Sequence, residues 1–195
     1  MFAQLDTKTV YSFMDSLIDL EGYVKEAKVL GYQTIGIMDK DNLYAAFHFI
    51  TKAKSEGLRP VLGLELTLNL QENLSLSVYL IARDTTGYKN LMKVSSCQMT
   101  SGIQLEDLKD YLSGLVVIIP YFDGLESLLL PFEYYIGVNV RSEEKDYDKP
   151  LIPLHTVRYF NTNEVETLHM LHAIRDNILA VRQFYLDESV IKTDT

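Results

Sequence analysis

Two acidic residues stand where two predicted strands end. Thr34–Met38 is a short, apolar and partly β-branched run of the length typical of a buried strand, and Asp39 follows it directly. Val61–Leu64 indicates the next strand, with Glu65 at its end. The carboxyl ends of parallel strands meet at one edge of an α/β sheet, which is where such proteins bind ligands. We therefore expect both carboxylates at one ligand-binding edge.

The elements that position these acids alternate between strand and helix. Asn42 is predicted to cap a helix that follows Asp39 and ends at Gly57. Further apolar runs predict six strands: Phe2–Leu5, Leu66–Leu70, Leu74–Ala82, Leu115–Ile119, Tyr134–Val140 and Leu151–Leu154. The second and third of these are expected to form a hairpin at the edge of the barrel. Helical periodicity predicts five helices: Leu20–Gly31, Tyr88–Val94, Ile103–Leu112, Leu125–Leu130 and Glu164–Arg175. A further helical segment is predicted to reach Leu186. This alternation favours either an α/β barrel or a doubly wound sheet.

Composition places the chain among ordinary globular proteins. With 195 residues, 47% hydrophobic and 23% charged, residues 1–195 are predicted to form a single domain. The net charge of −9 argues against independent nucleic-acid binding, because phosphate neutralisation needs clustered Lys and Arg. The sequence shows neither an apolar run of membrane-spanning length nor a signal-peptide pattern, so we expect a cytoplasmic protein without membrane partners.

Common catalytic arrangements find little support in the sequence. Neither a nucleophile elbow nor a phosphate-binding glycine loop is present. His169 and His172 have a spacing that could bind a metal ion, but no third ligand is placed beside them. His48 and Cys97 are more simply interpreted as packing or surface residues. Ser142–Pro150 is a charged run that indicates a solvated loop.

Five segments carry a resemblance to a known family. They are LDTKTVYSFMDSL from residue 5, MDKDNLYAAFHF from 38, RPVLGLE from 59, GYKNL from 87 and PLHTVRYF from 153. In this order they resemble motifs of the PHP (polymerase and histidinol phosphatase) family, in the branch at the amino end of bacterial replicative DNA polymerases. The resemblance implies a distorted (β/α) barrel that could lack its C-terminal end.

The resemblance also implies a site of His, Asp and Glu ligands that holds Zn, Mn or Fe and hydrolyses phosphoesters. Seven positions of this chain align with that site: Asp6, Lys8, Asp39, Lys40, Glu65, Thr156 and Arg158. Asp39 and Glu65 match the family pattern, and Asp6 could still coordinate. The remaining four positions carry no metal ligand, since ammonium and guanidinium groups do not bind metal ions. We therefore expect a vestigial site without metal or catalytic residues, whereas a polymerase attached to it would use Mg.

The cations at these positions are expected to replace the lost metal ions. We predict that Asp6, Asp39, Glu65 and Arg158 gather at one rim of the barrel. Arg158 is the expected bidentate partner of Glu65 or Asp39, because its planar fork suits two carboxylate oxygens.

Three functional hypotheses follow. In the first, the chain is a non-catalytic domain that organises a DNA-directed DNA polymerase, contacting the remaining domains of the same chain and, as a further candidate, a proofreading exonuclease. In the second, it is a metal-dependent phosphoesterase or 3′–5′ exonuclease with an altered ligand set. In the third, it is an unrelated small barrel enzyme.

Overall fold

The computed structural model describes residues 3–71, 74–125, 130–139 and 148–177. The strands are β1 (Asp6–Thr7), β2 (Thr34–Lys40), β3 (Arg59–Gln71), β4 (Leu74–Ala82), β5 (Leu115–Pro120), β6 (Tyr135–Val138), β7 (Leu151–Pro153) and β8 (Thr156–Val157). The helices are α1 (Leu20–Val29), α2 (Ala46–Ser55), α3 (Thr85–Thr100), α4 (Leu105–Leu108) and α5 (Val165–Arg175).

The main sheet has six strands in the order β2-β3-β4-β5-β6-β7. Strand β4 is antiparallel to both of its neighbours, and the other pairs of this sheet are parallel. Strand β1 pairs in parallel with β8, and a bridge between Gln4 and Ile35 connects β1 to the free edge of β2. Since β8 follows β7 along the chain, the sheet curls back towards its own first strand.

Two apolar clusters lie on opposite faces of this curled sheet. The smaller cluster joins side chains of strands that are not neighbours: Met38, Tyr79, Ile81, Ile118 and Leu154. Strands so far apart in the sheet can share a cluster only if the sheet bends around it. The larger cluster joins alternate residues such as Ile37 and Leu64 to Phe49 of α2 and Leu91 of α3. The first cluster is therefore the barrel interior, and the second packs the helices on the outside.

Helices α1 and α3 begin where an aspartate side chain satisfies one of their first backbone N–H groups. Asp19 accepts from Gly22 N at the start of α1, and Asp84 accepts from Gly87 N at the start of α3. A Cβ at Gly87 would lie 2.0 Å from the carbonyl oxygen of Gly114, so this close approach requires glycine. Asn42 does not cap α2 as predicted, because the helix begins at Ala46 and the Asn42 side chain accepts from Tyr44 N within the preceding turn.

The predicted α/β architecture is confirmed, with local corrections. The hairpin β3–β4 lies in the middle of the main sheet rather than at its edge, because β4 also pairs with β5. The predicted helix Ile103–Leu112 is a single turn, α4, followed by the 3₁₀ helix Lys109–Tyr111. The interiors of the predicted helix Leu125–Leu130 and of the charged run Ser142–Pro150 lie outside the described residues, as does the helical piece reaching Leu186. Within the described part of the chain, every helix is too short or too polar to cross a membrane.

Candidate functional site

A fully buried lysine occupies the centre of the site. Lys8 follows β1, and its backbone N–H donates to the carbonyl of Val157 (2.9 Å), continuing the ladder with β8. Its ammonium nitrogen lies 2.8 Å from Asp6 Oδ1 and 2.6 Å from Glu65 Oε2, and donates to the carbonyl oxygen of Met38 at 2.6 Å. Residues of β1, β2 and β3 thus converge on a single cation, with Glu65 in the middle of β3 rather than at its end as predicted, because β3 continues to Gln71. We call Asp6, Lys8, Glu65 and Thr156 the lysine cluster.

The surroundings hold Lys8 in its charged form. Its Nζ lies 4.7 Å from the ring centre of Tyr79 on β4, within range of a cation–π interaction. Burial by itself lowers the pKa of Lys8, but the nearby carboxylates of Asp6 and Glu65 outweigh it, so the pKa is raised above the ordinary lysine value. Burial also raises the pKa of the Tyr79 hydroxyl, which keeps the ring neutral.

The carboxylate oxygens that do not touch Lys8 have hydroxyl partners. Thr156 Oγ1 donates to Asp6 Oδ2 at 2.5 Å, and Ser77 Oγ donates to Glu65 Oε1 at 3.3 Å. Each acid therefore has one oxygen in an ion pair with Lys8 and the other hydrogen-bonded to a hydroxyl group. Thr156 stands where the resemblance places an aspartate, and it provides a hydrogen-bond donor to Asp6 in place of a further carboxylate.

Asp39 belongs to a separate set of contacts beside the lysine cluster. Its Oδ1 accepts from Thr9 N and Ser12 Oγ, and its Oδ2 accepts from Thr9 Oγ1, all at 2.7 Å. Burial raises the pKa of Asp39 above its usual value, although these hydrogen bonds and Lys8 oppose the shift. Strand residues alternate between faces, so Asp39 points away from the interior that holds the Met38 side chain. It therefore anchors the loop after β1 instead of facing Glu65.

Lys40 lies beside the lysine cluster without joining it. It is paired in register with Glu65, yet its side chain is exposed, and Glu65 takes its ion pair from Lys8. A second ammonium in the buried space would meet the charge of Lys8 without a free carboxylate to offset its desolvation. The expectation that Lys40 helps to replace the lost metal ions is therefore wrong, because Lys8 alone pairs with Asp6 and Glu65 in the interior.

Arg158 is also placed differently from the prediction. Its Nε lies 3.3 Å from Oδ2 of Asp15, a residue of the loop after β1. Among the residues that the structure describes, Arg158 makes no hydrogen bond to Glu65 or Asp39, the two partners predicted for it. Asp15 Oδ1 additionally lies 2.7 Å from Arg175 Nη1 and 3.3 Å from His172 Nε2, both on α5. Burial raises the pKa of Asp15, but His172 and Arg158 outweigh it, so the pKa lies well below the usual range.

The reason for this difference lies in how far Arg158 extends beyond β8. Thr156 and Arg158 share one face of the chain, and Thr156 already reaches Asp6. One step further along, Arg158 meets the loop after β1, where Asp15 offers a less buried carboxylate than Asp6 does. Burial lowers the pKa of the Arg158 guanidinium, but the carboxylates of Asp15 and, to a smaller extent, Asp6 outweigh it, so the pKa is raised.

Sequence reasoning missed Thr9, Ser12, Asp15 and Tyr79 as parts of the site. Ser12 and Asp15 stand in the first matching segment, so the motif itself held the signal. His48 lies on the surface, 4.0 Å from Glu21. His172 Nε2 lies 3.3 Å from Asp15 Oδ1. Across the described ranges, no group of three His, Cys, Asp or Glu residues is arranged to hold a metal ion.

Comparisons with known proteins agree on the relationship of this chain. It is 54% identical over 180 residues to DNA polymerase III subunit alpha of Streptococcus pyogenes serotype M3, and the match covers 91% of the chain but 17% of that relative. It is 35% identical over 131 residues to the same subunit of Rickettsia felis, covering 64% of the chain and 11% of the relative. The chain thus spans about a sixth of the length of the first of these relatives.

A solved structure from Bifidobacterium adolescentis, assigned as a metal-dependent phosphoesterase, matches with a TM-score of 0.44 and 15% identity over 91% of this chain and 84% of that one. The sequence profile of the PHP domain matches residues 4–152, well over half of the chain. The chain therefore belongs to the PHP domain family.

Proposed function

We propose that this chain is a metal-free, non-catalytic PHP domain that stabilises and organises a bacterial replicative DNA polymerase in the cytoplasm. The observation that carries the proposal is the position of the Lys8 ammonium, 2.8 Å from Asp6 and 2.6 Å from Glu65 in a fully buried space. A positive group held between carboxylates does the electrostatic work that a metal ion does in an intact family site. It offers neither a coordination site nor an activated water.

The carboxylate oxygens around Lys8 are poorly placed to act as metal ligands. A metal ion between Asp6 and Glu65 would have to displace the ammonium, which is protonated well beyond neutral pH because its pKa is raised. The oxygens not bound to Lys8 receive hydrogen bonds from Thr156 and Ser77. Asp39 uses both of its oxygens on Thr9 and Ser12. Each carboxylate is thus committed to the protein itself.

The role in a polymerase is supported by the relatives. The chain is 54% identical to a DNA polymerase III subunit alpha of which it covers 17%, so the remaining domains of such a subunit are its natural partners. A proofreading exonuclease is a second candidate partner. In this proposal the polymerase chemistry, with its Mg, resides in those other domains, and the PHP domain contributes a folded barrel.

Elemental analysis and activity assays test the proposal. The full-length polymerase chain is incubated with Zn²⁺ or Mn²⁺, freed of loose metal and analysed for bound metal in this domain, with the Lys8→Ala variant beside it. We expect no stoichiometric metal in the unsubstituted domain. We also expect no release of nucleotides from DNA 3′ ends and no hydrolysis of p-nitrophenyl phosphate beyond the rate of a variant lacking both acids, Asp6→Asn/Glu65→Gln.

The Lys8→Ala variant separates the two main readings of the site. Removing the ammonium leaves Asp6 and Glu65 facing each other, so Zn²⁺ or Mn²⁺ should raise the melting temperature of Lys8→Ala and leave that of Lys40→Ala unchanged. A tightly held ion in the unsubstituted domain, together with hydrolysis lost in Asp6→Asn/Glu65→Gln, would instead establish the phosphoesterase or exonuclease alternative and refute the proposal.

A further inference from the structure

An exposed apolar surface lies beside the lysine cluster, at the carboxyl ends of β1 and β2. Its members are Tyr11, Phe13, Tyr44, Phe47 and Met99, which we call the aromatic surface. Phe13 is 82% exposed, Phe47 80% and Tyr44 61%, values at which such side chains gain almost nothing from the folded domain itself.

Hydrogen bonds connect three members of this surface, Tyr11, Tyr44 and Met99, in part through Asn42. Tyr44 Oη lies 3.4 Å from Met99 Sδ, which links the turn after β2 to the end of α3. Asn42 Nδ2 donates to the carbonyl oxygen of Tyr11 (2.9 Å), and Asn42 Oδ1 accepts from Tyr44 N (3.1 Å). Asn42 thus joins the loop after β1 to the loop after β2. Phe47 lies in the first turn of α2, three residues along the chain from Tyr44.

The loop that carries Tyr11 and Phe13 is held in place by hydrogen bonds of its buried residues to the rest of the domain. Its inward residues are Ser12, which donates to Asp39, and Ser16, which donates to the carbonyls of Lys8 and Arg158 at 2.6 and 3.0 Å. Met14 adopts a left-handed backbone conformation with φ of 55°, which is unfavourable for a residue other than glycine and persists only when the surroundings impose it. The loop therefore presents its aromatic side chains in a preorganised arrangement, which lowers the entropy cost of binding.

We propose that the aromatic surface is the docking site for the polymerase part of the full-length chain, the segment that this domain's relatives have in addition to it. This inference rests on the proposed function. In the Streptococcus pyogenes relative the match covers 17% of the length, so most of that subunit lies outside the match and offers a large protein surface in the same chain. Docking within one chain occurs at high effective concentration, so even a small apolar surface stays covered.

The chemistry of the surface favours a protein partner. Tyr, Phe and Met are enriched in protein interfaces, and their lack of charge suits an apolar partner. A single-stranded nucleic acid also stacks on aromatic rings, but it needs a basic groove beside them, and this chain carries a net charge of −9. In a family member with an open site this rim must admit substrate. Here Lys8 fills the interior, so covering the rim obstructs no reaction.

Hydroxyl-radical footprinting of the unsubstituted full-length chain tests the proposal, because Met, Tyr and Phe side chains are oxidised according to their exposure. Met99 and Met170 are equally exposed in the isolated domain, at 57% each, and form a matched pair. We expect Met99 and Tyr44 to be oxidised at least tenfold more slowly in the folded full-length chain than in the same chain unfolded in guanidinium. Met170 serves as the reference for an uncovered methionine.

A double variant, Phe13→Ser/Tyr44→Ser, should remove the protection and bring the oxidation rate of Met99 up to that of exposed methionine. Val29→Ser, which changes an equally exposed side chain on α1, should leave Met99 protected.

The proposal is overturned if Met99 is oxidised as fast as Met170 in the unsubstituted chain. It is also overturned if protection disappears on hundredfold dilution, which would indicate a second copy, or arises only when an oligo-dT strand is added, which would indicate nucleic acid. Since this readout needs neither metal nor hydrolysis, it can fail independently of the proposed function.

Discussion

A lysine buried between two carboxylates is stable only as long as all of its partners remain. Moving an ammonium group out of water is costly, and its attraction to Asp6 and Glu65 compensates this cost because the contacts are short and the remaining carboxylate oxygens are hydrogen-bonded. Removing only the cation would leave two buried carboxylates close together without a counter-charge. A substitution at Lys8 is therefore expected to lower the free energy of unfolding by more than the net contribution of its ion pairs.

We accordingly expect Lys8→Met, which retains the length of the side chain, to lower the free energy of unfolding by about 3–5 kcal/mol. Lys40→Met is the matched control, since Lys40 is an exposed lysine in register with Glu65, and it should change stability by no more than about 0.5 kcal/mol. Urea unfolding of both variants gives the comparison. Similar small effects for the two lysines would contradict the role of Lys8 as an internal counter-charge.

At the same scale, sequence reasoning singled out Lys8, Lys40 and Arg158 but did not show where each cation goes. Lys8 shares a strand face with Asp6, so its proximity to the acids follows from the alternation of side chains. Arg158 shares the face of Thr156, yet it extends past the strand end to Asp15, and no pattern in the sequence reveals which of several acids a long side chain will reach. The charge-replacement idea is supported for Lys8, whereas the predicted partners of Arg158 are wrong.

Among the elements, the loop from Thr9 to Ser16 connects the most parts of the structure. It donates to Asp39 on β2 through Ser12, and it binds Arg158 after β8 and two residues of α5 through Asp15. The attachment of α5 to the barrel thus depends in part on a single carboxylate. Because the pKa of Asp15 is lowered in the folded state, its contribution to stability is present above the ordinary value of 3.8 and is lost as the pH falls below it.

This linkage predicts a pH-dependent effect of Asp15→Asn. Near neutral pH the variant should be less stable than the unsubstituted chain by about 1.5–3 kcal/mol, the usual contribution of hydrogen bonds to a charged group. Below pH 3 the difference should shrink, because the native carboxylate is then being protonated at the expense of folding. Asp176→Asn, which removes a more exposed partner of Arg175, should show a far smaller difference at every pH. Parallel pH profiles for Asp15→Asn and the unsubstituted chain would exclude the proposed linkage.

For the whole molecule, local patterns predicted the α/β class and most of the element positions. Short apolar runs predicted β2 and β5 closely, because they are strands buried on both faces. The order of the strands in the sheet cannot be predicted in this way, since it depends on which strand edges pair in the folded structure. The sequence places β3 and β4 in one hairpin but contains no local signal that β5 pairs antiparallel on the far side of β4. The closure of the barrel through β1 and β8 is likewise set by contacts over some 150 residues.

One buried side chain contributes to joining β1 to the rest of the barrel. Gln4 Nε2 donates to the carbonyl of His155 at 2.7 Å and to that of Asp6 at 3.1 Å, and the Gln4 carbonyl accepts from Gly36 N at 2.6 Å. A Cβ at Gly36 would lie 2.7 Å from the carbonyl oxygen of Leu5, which shows how closely the first strand approaches β2. Gln4 therefore joins the beginning of the chain both to the first strand of the main sheet and to the connection that follows the last.

We expect Gln4→Met, which keeps the shape of the side chain but removes its donors, to lower the free energy of unfolding by about 1–3 kcal/mol, because buried carbonyls lose their partner. The dependence of the free energy on urea concentration should not change if the barrel unfolds as one unit. Amide hydrogen exchange should accelerate at Lys8 and Gly36, on either side of the closure, as much as at the centre of β4. Gln104→Met is the control, since Gln104 is exposed and makes no capping bond to α4. Acceleration confined to Lys8 and Gly36, with β4 unaffected, would show instead that the first strand opens by itself and that closure does not stabilise the barrel as a whole.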